Sequence, residues 1–165
     1  MLKGRAFKFG NDISTDHIIP ANYIQILAGN IPELAKHAME DADPSFVSRV
    51  NPGDFIVAGE GFGIGSSREQ APLVIKAAGV SAVLARSIGR IFFRNAVNVG
   101  LPVLICDTEQ IADGDELEVN LEAGTIQDIT KGIQISFDPL PPVMLNILNE
   151  GGLLPYVKRY GRFKL

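Results

Sequence analysis

What this chain has little of narrows its function before any motif is read. It holds one cysteine, Cys106, in 165 residues, so it has no cysteine pair with which to bind zinc or an iron–sulfur cluster by itself. That thiol closes an apolar run at 102–105 and reads as a small buried hydrophobe. A net charge of -4 argues against a nucleic-acid or anionic-membrane surface as main partner, since both need clustered cations. The one dense basic run, Lys158, Arg159, Arg162 and Lys164, reads either as a solvated tail or as a contact for an acidic partner. No apolar span reaches the ~20 residues of a membrane helix. The start, Met1-Leu-Lys-Gly-Arg5, lacks the apolar centre of a secretion signal, so a cytosolic protein is expected. There is no internal repeat and no low-complexity segment.

A hydrophobic share of 46% over 165 residues is enough for one well-buried core, and a single domain over 1–165 is expected. Apolar runs give strands at 6–9, 55–58, 80–85 and 102–105. Apolar stripes give helices at 31–39, around Leu73, Val74, Ala77 and Ala78, and at 90–99. This alternation favours parallel strands with right-handed crossovers. From Glu116 the pattern changes to short alternating runs, 117–120, 125–129 and 134–137, which read as antiparallel hairpins. Two short helices, 143–148 and 153–160, finish the chain. The class is α/β: a mixed, mostly parallel central sheet with flanking helices and a C-terminal antiparallel hairpin region.

Two segments carry chemistry. In Val57-Ala-Gly-Glu-Gly-Phe-Gly-Ile-Gly-Ser-Ser-Arg-Glu-Gln70 a strand runs into Gly59, Gly61, Gly63 and Gly65, then Ser66, Ser67 and Arg68. Glycines at alternate positions can take positive φ and let backbone amides approach a ligand. The next helix begins there, and its unpaired N–H groups favour a carboxylate or phosphate. Ser67 as N-cap with Gln70 would make a capping box, although Pro72 shifts the start a residue or two later. A tight strand-to-helix turn with two capping serines is the plain structural alternative. Neither a Walker A loop nor a dinucleotide fingerprint fits the glycine spacing.

The second segment, Gly10-Asn-Asp-Ile-Ser-Thr-Asp-His-Ile-Ile-Pro20, packs Asp12, Asp16 and His17 into six residues. A capped turn, a metal site and an acid–base site are all open on spacing, with adjacent Asp16 and His17 poorly placed to share one ion. His37, near the end of a helix, reads as a surface residue. Arg90, Arg94 and Asn95 read as helix caps, solvated surface or part of an interface.

Together these segments resemble the small subunits of 3-isopropylmalate dehydratase, which correspond to the mobile swivel domain of aconitase. The likeness runs along essentially the whole chain. It includes Phe9-Gly-Asn-Asp-Ile-Ser-Thr-Asp-His-Ile-Ile-Pro20, Gly61-Phe-Gly-Ile-Gly-Ser-Ser-Arg-Glu69, Ile88-Gly-Arg-Ile-Phe-Phe-Arg-Asn-Ala96 and Gly151-Gly-Leu-Leu-Pro-Tyr-Val157. The resemblance implies a swivelling β/β/α domain and a hydro-lyase. Ser66 matches the serine that removes the substrate's Cα proton as an alkoxide, while Ser67 and Arg68, with Gly65, hold a substrate carboxylate. Asp16 matches an aspartate that assists a histidine of the partner, and His17 beside it is counted with the catalytic residues. No metal ligand is expected on this chain: the family's [4Fe-4S] cluster sits on a separate large subunit, the expected partner. The isolated chain is expected to be inactive and open to self-association.

The substrate turns on Tyr23, Ile24, Gln25 and Ile26, which in related enzymes read the substrate's distal group. Homoaconitase-type members place an arginine there for a second carboxylate. No Lys or Arg occurs from Phe9 to Ala35, and two isoleucines suit an isopropyl group. That favours 3-isopropylmalate over homocitrate and leaves citramalate and dimethylmalate open. A non-catalytic anion-binding module is the alternative from another class.

Overall fold

A computed structural model of the chain describes residues 1–163; Lys164 of the basic run lies outside them. Seven strands form one sheet in the order β4-β3-β2-β1-β5-β6-β7. Strands β1 (Leu2–Lys8), β2 (Phe55–Ala58), β3 (Ala82–Ala85) and β4 (Val103–Ile105) run parallel. Strands β5 (Glu116–Asn120), β6 (Thr125–Asp128) and β7 (Ile133–Ser136) continue antiparallel from the other side of β1. β1 therefore serves both halves. Its residues Ala6, Phe7 and Lys8 pair with β2, while Leu2, Lys3, Gly4 and Arg5 pair with β5. The strand starts four residues before the expected 6–9, because its first half is held only by a partner more than a hundred residues away.

All positions of β2 and β3 are buried, which accounts for their unbroken apolar sequence. On one face, Phe7, Ile56, Ala58, Val83, Ala85 and Val103 meet the helices. On the other, Ala6, Phe55, Val57, Ala82, Leu84 and Leu104 meet Leu117, Val119, Ile126 and Ile135, so the antiparallel half curls over the parallel one. The alternating burial of β5 and β6 follows from having only one face against that core.

The helices are α1 (Thr15–Ile18), α2 (Ala21–Ile26), α3 (Ile31–Ala35), α4 (Phe46–Arg49), α5 (Gln70–Ala77), α6 (Arg90–Asn98), α7 (Pro142–Asn149) and α8 (Leu153–Tyr160). The N-cap of α5 is Glu69, with no side-chain cap bond, two residues beyond Ser67. Pro72 thus falls in the first turn, where its missing N–H costs nothing. The stripe of α5 buries Ala71, Val74 and Ile75, while Ala77 faces solvent. Among the described residues no helix is long and apolar enough to cross a membrane.

Candidate active site

Because β1 and β2 are parallel, the loops that follow them leave the sheet side by side, at the carboxyl edge where open α/β sheets hold ligands. Their pairing continues past the strands as a backbone ladder. Phe9 N–H donates to Val57 O at 2.7 Å, Asp12 to Glu60 O at 2.7 Å, Gly63 to Ile13 O at 2.7 Å and Thr15 to Ile64 O at 2.9 Å. On its other flank the glycine loop meets the loop after β3: Phe62 N–H donates to Ser87 O at 3.1 Å, and Gly61 N–H to Ser87 Oγ at 2.8 Å. Asn11 Oδ1 accepts from Glu60 N–H at 2.8 Å.

The amides of Gly59, Glu60, Gly61, Phe62 and Gly63 are therefore all engaged within the chain. The glycine stretch is a braced floor rather than the cradle itself. Free amides occur at Gly65, Ser66 and Ser67, none of which donates a hydrogen bond among the described residues, while Ile64 is tied into a parallel bridge with Ser14. Gly61, Gly63 and Gly65 have φ of 72°, 75° and 104°, as expected of alternating glycines. Gly59 does not; it is glycine because the Asn11 side chain occupies the space a Cβ would take.

Ser66 and Ser67 are exposed, and their hydroxyls make no hydrogen bond among the described residues. Arg68 is well buried and fixed: its Nη1 donates to Ile19 O at 3.0 Å and forms an ion pair with Asp16. Asp16 is 65% exposed, so it can serve a second partner. The structure thus joins Asp16 to Arg68, with no histidine of this chain on either carboxylate oxygen. His17 closes the cap of α1 instead. Its Nδ1 accepts from the Ser14 N–H at 2.9 Å and lies 3.0 Å from Ser14 Oγ. That bond places the proton of the neutral ring on Nε2. His17 stays exposed, but half of its hydrogen-bonding capacity serves local structure.

Thr15 escaped the sequence reading. It is 2% exposed, and its Oγ1 has no hydrogen-bond partner among the described residues. A Cβ on Gly65 would stand 3.4 Å from that oxygen, so an unsatisfied hydroxyl lies beneath the loop that carries Ser66. Buried polar groups are rarely left so; a threonine inside a run of caps gives no periodic signal of it.

Tyr23, Ile24, Gln25 and Ile26 form most of α2, and the helix divides them. Tyr23 and Ile24 pack against the helix-side core with Leu27, while Gln25 faces solvent and Ile26 is 72% exposed. Ile24 and Ile26 therefore face different ways, since residues two apart on a helix point to opposite sides. Tyr23 stacks on His37, with ring centroids 4.0 Å apart at 16°. His37 Nδ1 lies 2.7 Å from Glu40 Oε2. His37 is thus half-buried and engaged rather than a bare surface residue.

The donor set does not fit an iron–sulfur cluster. No group of three His, Cys, Asp or Glu among the described residues could hold a metal. Burial pushes the Cys106 thiol up to about 12, whereas a metal ligand must be a thiolate. Exposed hydroxyls, unpaired amides and a fixed guanidinium make a set of groups suited to an oxyanion.

A curled mixed sheet with a glycine-braced serine–arginine loop at its carboxyl edge defines an aconitase-type swivel domain. Residues 21–108 match the family described as Aconitase C-terminal domain. The 3-isopropylmalate dehydratase small subunit 2 of Archaeoglobus fulgidus is 64% identical, covering 99% of both chains. The isopropylmalate/citramalate isomerase small subunit of Methanocaldococcus jannaschii is 51% identical over 96% of this chain and 95% of its own. A crystal structure of 3-isopropylmalate dehydratase from that organism superposes with a TM-score of 0.92 at 46% identity, over 97% of this chain and 95% of the other. The chain belongs to the 3-isopropylmalate dehydratase small-subunit family.

Proposed function

We propose that this chain is the small subunit of a 3-isopropylmalate dehydratase. It isomerises 2-isopropylmalate to 3-isopropylmalate by dehydration and rehydration through 2-isopropylmaleate, in leucine biosynthesis, in the cytoplasm and with a large subunit. The observation that carries the reading is the exposed Ser66 hydroxyl, set among the unpaired amides of residues 65–67 and two residues before the Arg68 that pairs with Asp16.

A serine hydroxyl is a poor base in water, so it must be held as an alkoxide. Unpaired backbone N–H groups and a guanidinium two residues along the chain stabilise that anion. Ser67 and the outward N–H groups of Arg68 take the substrate carboxylate, which brings the adjacent carbon to Ser66 Oγ. The proton moves from that carbon to Ser66 as the hydroxyl on the neighbouring carbon departs. Rehydration adds the proton to the carbon that lost the hydroxyl and places the hydroxyl on the carbon that lost the proton. Asp16 fixes the Arg68 guanidinium and keeps an oxygen for a group of the partner. A [4Fe-4S] cluster on the large subunit would supply the Lewis acid that loss of hydroxide requires.

Ser66→Ala in the two-subunit complex tests the proposal. Turnover is expected to fall by about 10³-fold or more while assembly, followed by size exclusion, is unchanged. Activity within a few-fold of the parent would overturn it and favour a non-catalytic anion-binding module. One observation favours a second reading of the substrate. With Ile24 turned inward, α2 offers a single isoleucine, Ile26, beside polar Gln25. A smaller distal group suits that surface, so citramalate is a second candidate substrate.

A further inference from the structure

A helix of six residues is too short to be stable alone, and α2 has little of its own to hold it. Its N-cap, Pro20, makes no side-chain cap bond, and none of its residues is fully buried. It ends in Ala28 and Gly29 at φ of 48° and 70°, so the chain reverses immediately after it. Besides the packing of Tyr23, Ile24 and Leu27 on the core, what holds α2 comes from the turn after α3. The His37 ring lies flat on Tyr23 at 4.0 Å. Glu40 receives His37 Nδ1 on one carboxylate oxygen at 2.7 Å and the Tyr23 hydroxyl on the other at 3.4 Å. One carboxylate thus closes a ring of three side chains. The turn that presents His37 and Glu40 is itself anchored to α1. Met39 is fully buried at φ 60°, and its N–H donates to Ile18 O at 2.9 Å. Ile18 lies two residues after Asp16, so the carboxylate-binding end of the site is connected to α2 through Met39, His37 and Tyr23.

We propose that His37 and Glu40 are positioning residues for substrate selection: through Tyr23 they hold α2 in the rotation that turns Gln25 and Ile26 outward and Ile24 inward. The inference rests on the reading that α2 faces the distal group of the substrate. Neither residue touches substrate. Removing the stack lets α2 roll or fray, which changes the side chains offered to the distal group while leaving Ser66, Arg68 and Asp16 in place.

The test uses the complex with the large subunit and two readouts: amide hydrogen exchange across residues 21–29, and the ratio of kcat/KM for isopropylmalate to that for citramalate. His37→Ala is expected to raise exchange at those amides and to shift the ratio by about fivefold. The shift lies mainly in KM for isopropylmalate, with kcat little changed. His37→Phe keeps a ring against Tyr23 and is expected to recover most of the ratio. Tyr23→Phe, which keeps its packing and loses only the Glu40 bond, is expected to give a smaller shift in the same direction. Exchange and ratio both unchanged in His37→Ala would overturn the proposal, as would faster exchange with an unchanged ratio. Gln25→Arg separates this failure from that of the underlying reading. If Gln25→Arg alters substrate preference while His37→Ala does not, α2 reads the substrate without the clamp. If neither alters it, α2 does not read the substrate.

Discussion

The two halves of the sheet satisfy their backbones to different degrees. In the antiparallel half, β5, β6 and β7 are paired residue for residue. Their turns are closed by side chains such as Asn120, which accepts from Glu122 and Ala123, and Asp128, which accepts from Lys131. At the carboxyl edge of the parallel half, three successive amides, those of Gly65, Ser66 and Ser67, lack partners within the chain and the Thr15 hydroxyl is buried without one. A buried hydroxyl without a partner is costly and exposed amides are free to bind, so this edge is the one that suits the proposed ligand. The antiparallel half is scaffold.

Gly63→Ala should break this contrast most severely. Gly63 has φ of 75° and its missing Cβ would collide with the Phe92 ring, so a loss of about 3 kcal/mol in chemical denaturation is expected. Equal stability of variant and parent would mean that the floor of the site is not rigid. The scaffold has one comparable fault. Asp128 is 0% exposed with an orphaned Oδ2, and burial, with the nearby Asp115 carboxylate, pushes its carboxyl above the usual range. A raised carboxyl contributes stability that is complete below the unfolded value and is lost as pH rises through the folded value. Asp128→Asn keeps the acceptor for the Lys131 N–H. It is expected to stabilise by about 1 kcal/mol at pH 7, with the gain shrinking as pH falls towards the ordinary carboxylate value. A gain that grows on acidification would refute this. The smallest effect is at Ala28, where φ of 48° disfavours a Cβ. Ala28→Gly should raise stability by about 0.5 kcal/mol in thermal unfolding, and a lower melting temperature would show the strain to be absent.

The strands of the parallel half were legible because burial on both faces writes an unbroken apolar run, as at residues 55–58. The serine–arginine loop was legible because few purposes need glycine at every second position. Which amides of that loop remain free was not, since Gly10, Asn11, Ile13 and Ser87 use up the others and are remote in sequence. In Tyr23-Ile-Gln-Ile26 the different directions of the two isoleucines were not legible, because so short a segment carries no period of its own. Pro20 before it and Ala28-Gly29 after it make it a helix, and 3.6 residues per turn separate them. The Asp16–Arg68 pair was hidden for another reason. Residues 16 and 68 lie in different motifs, each of which looked complete on its own.

β1 is made first and finished last. Its inner half needs β2 and its outer half needs β5, so on the ribosome the first strand must wait until most of the polypeptide has emerged before both of its edges are covered. Until then it is an open edge with an apolar face. A fragment restricted to residues 21–108, the part that the family match covers, would lose β1 altogether and with it the middle of the sheet. Such a piece would leave β2 without the partner on its inner edge, and the β5 that covers the other side of β1 would be missing as well.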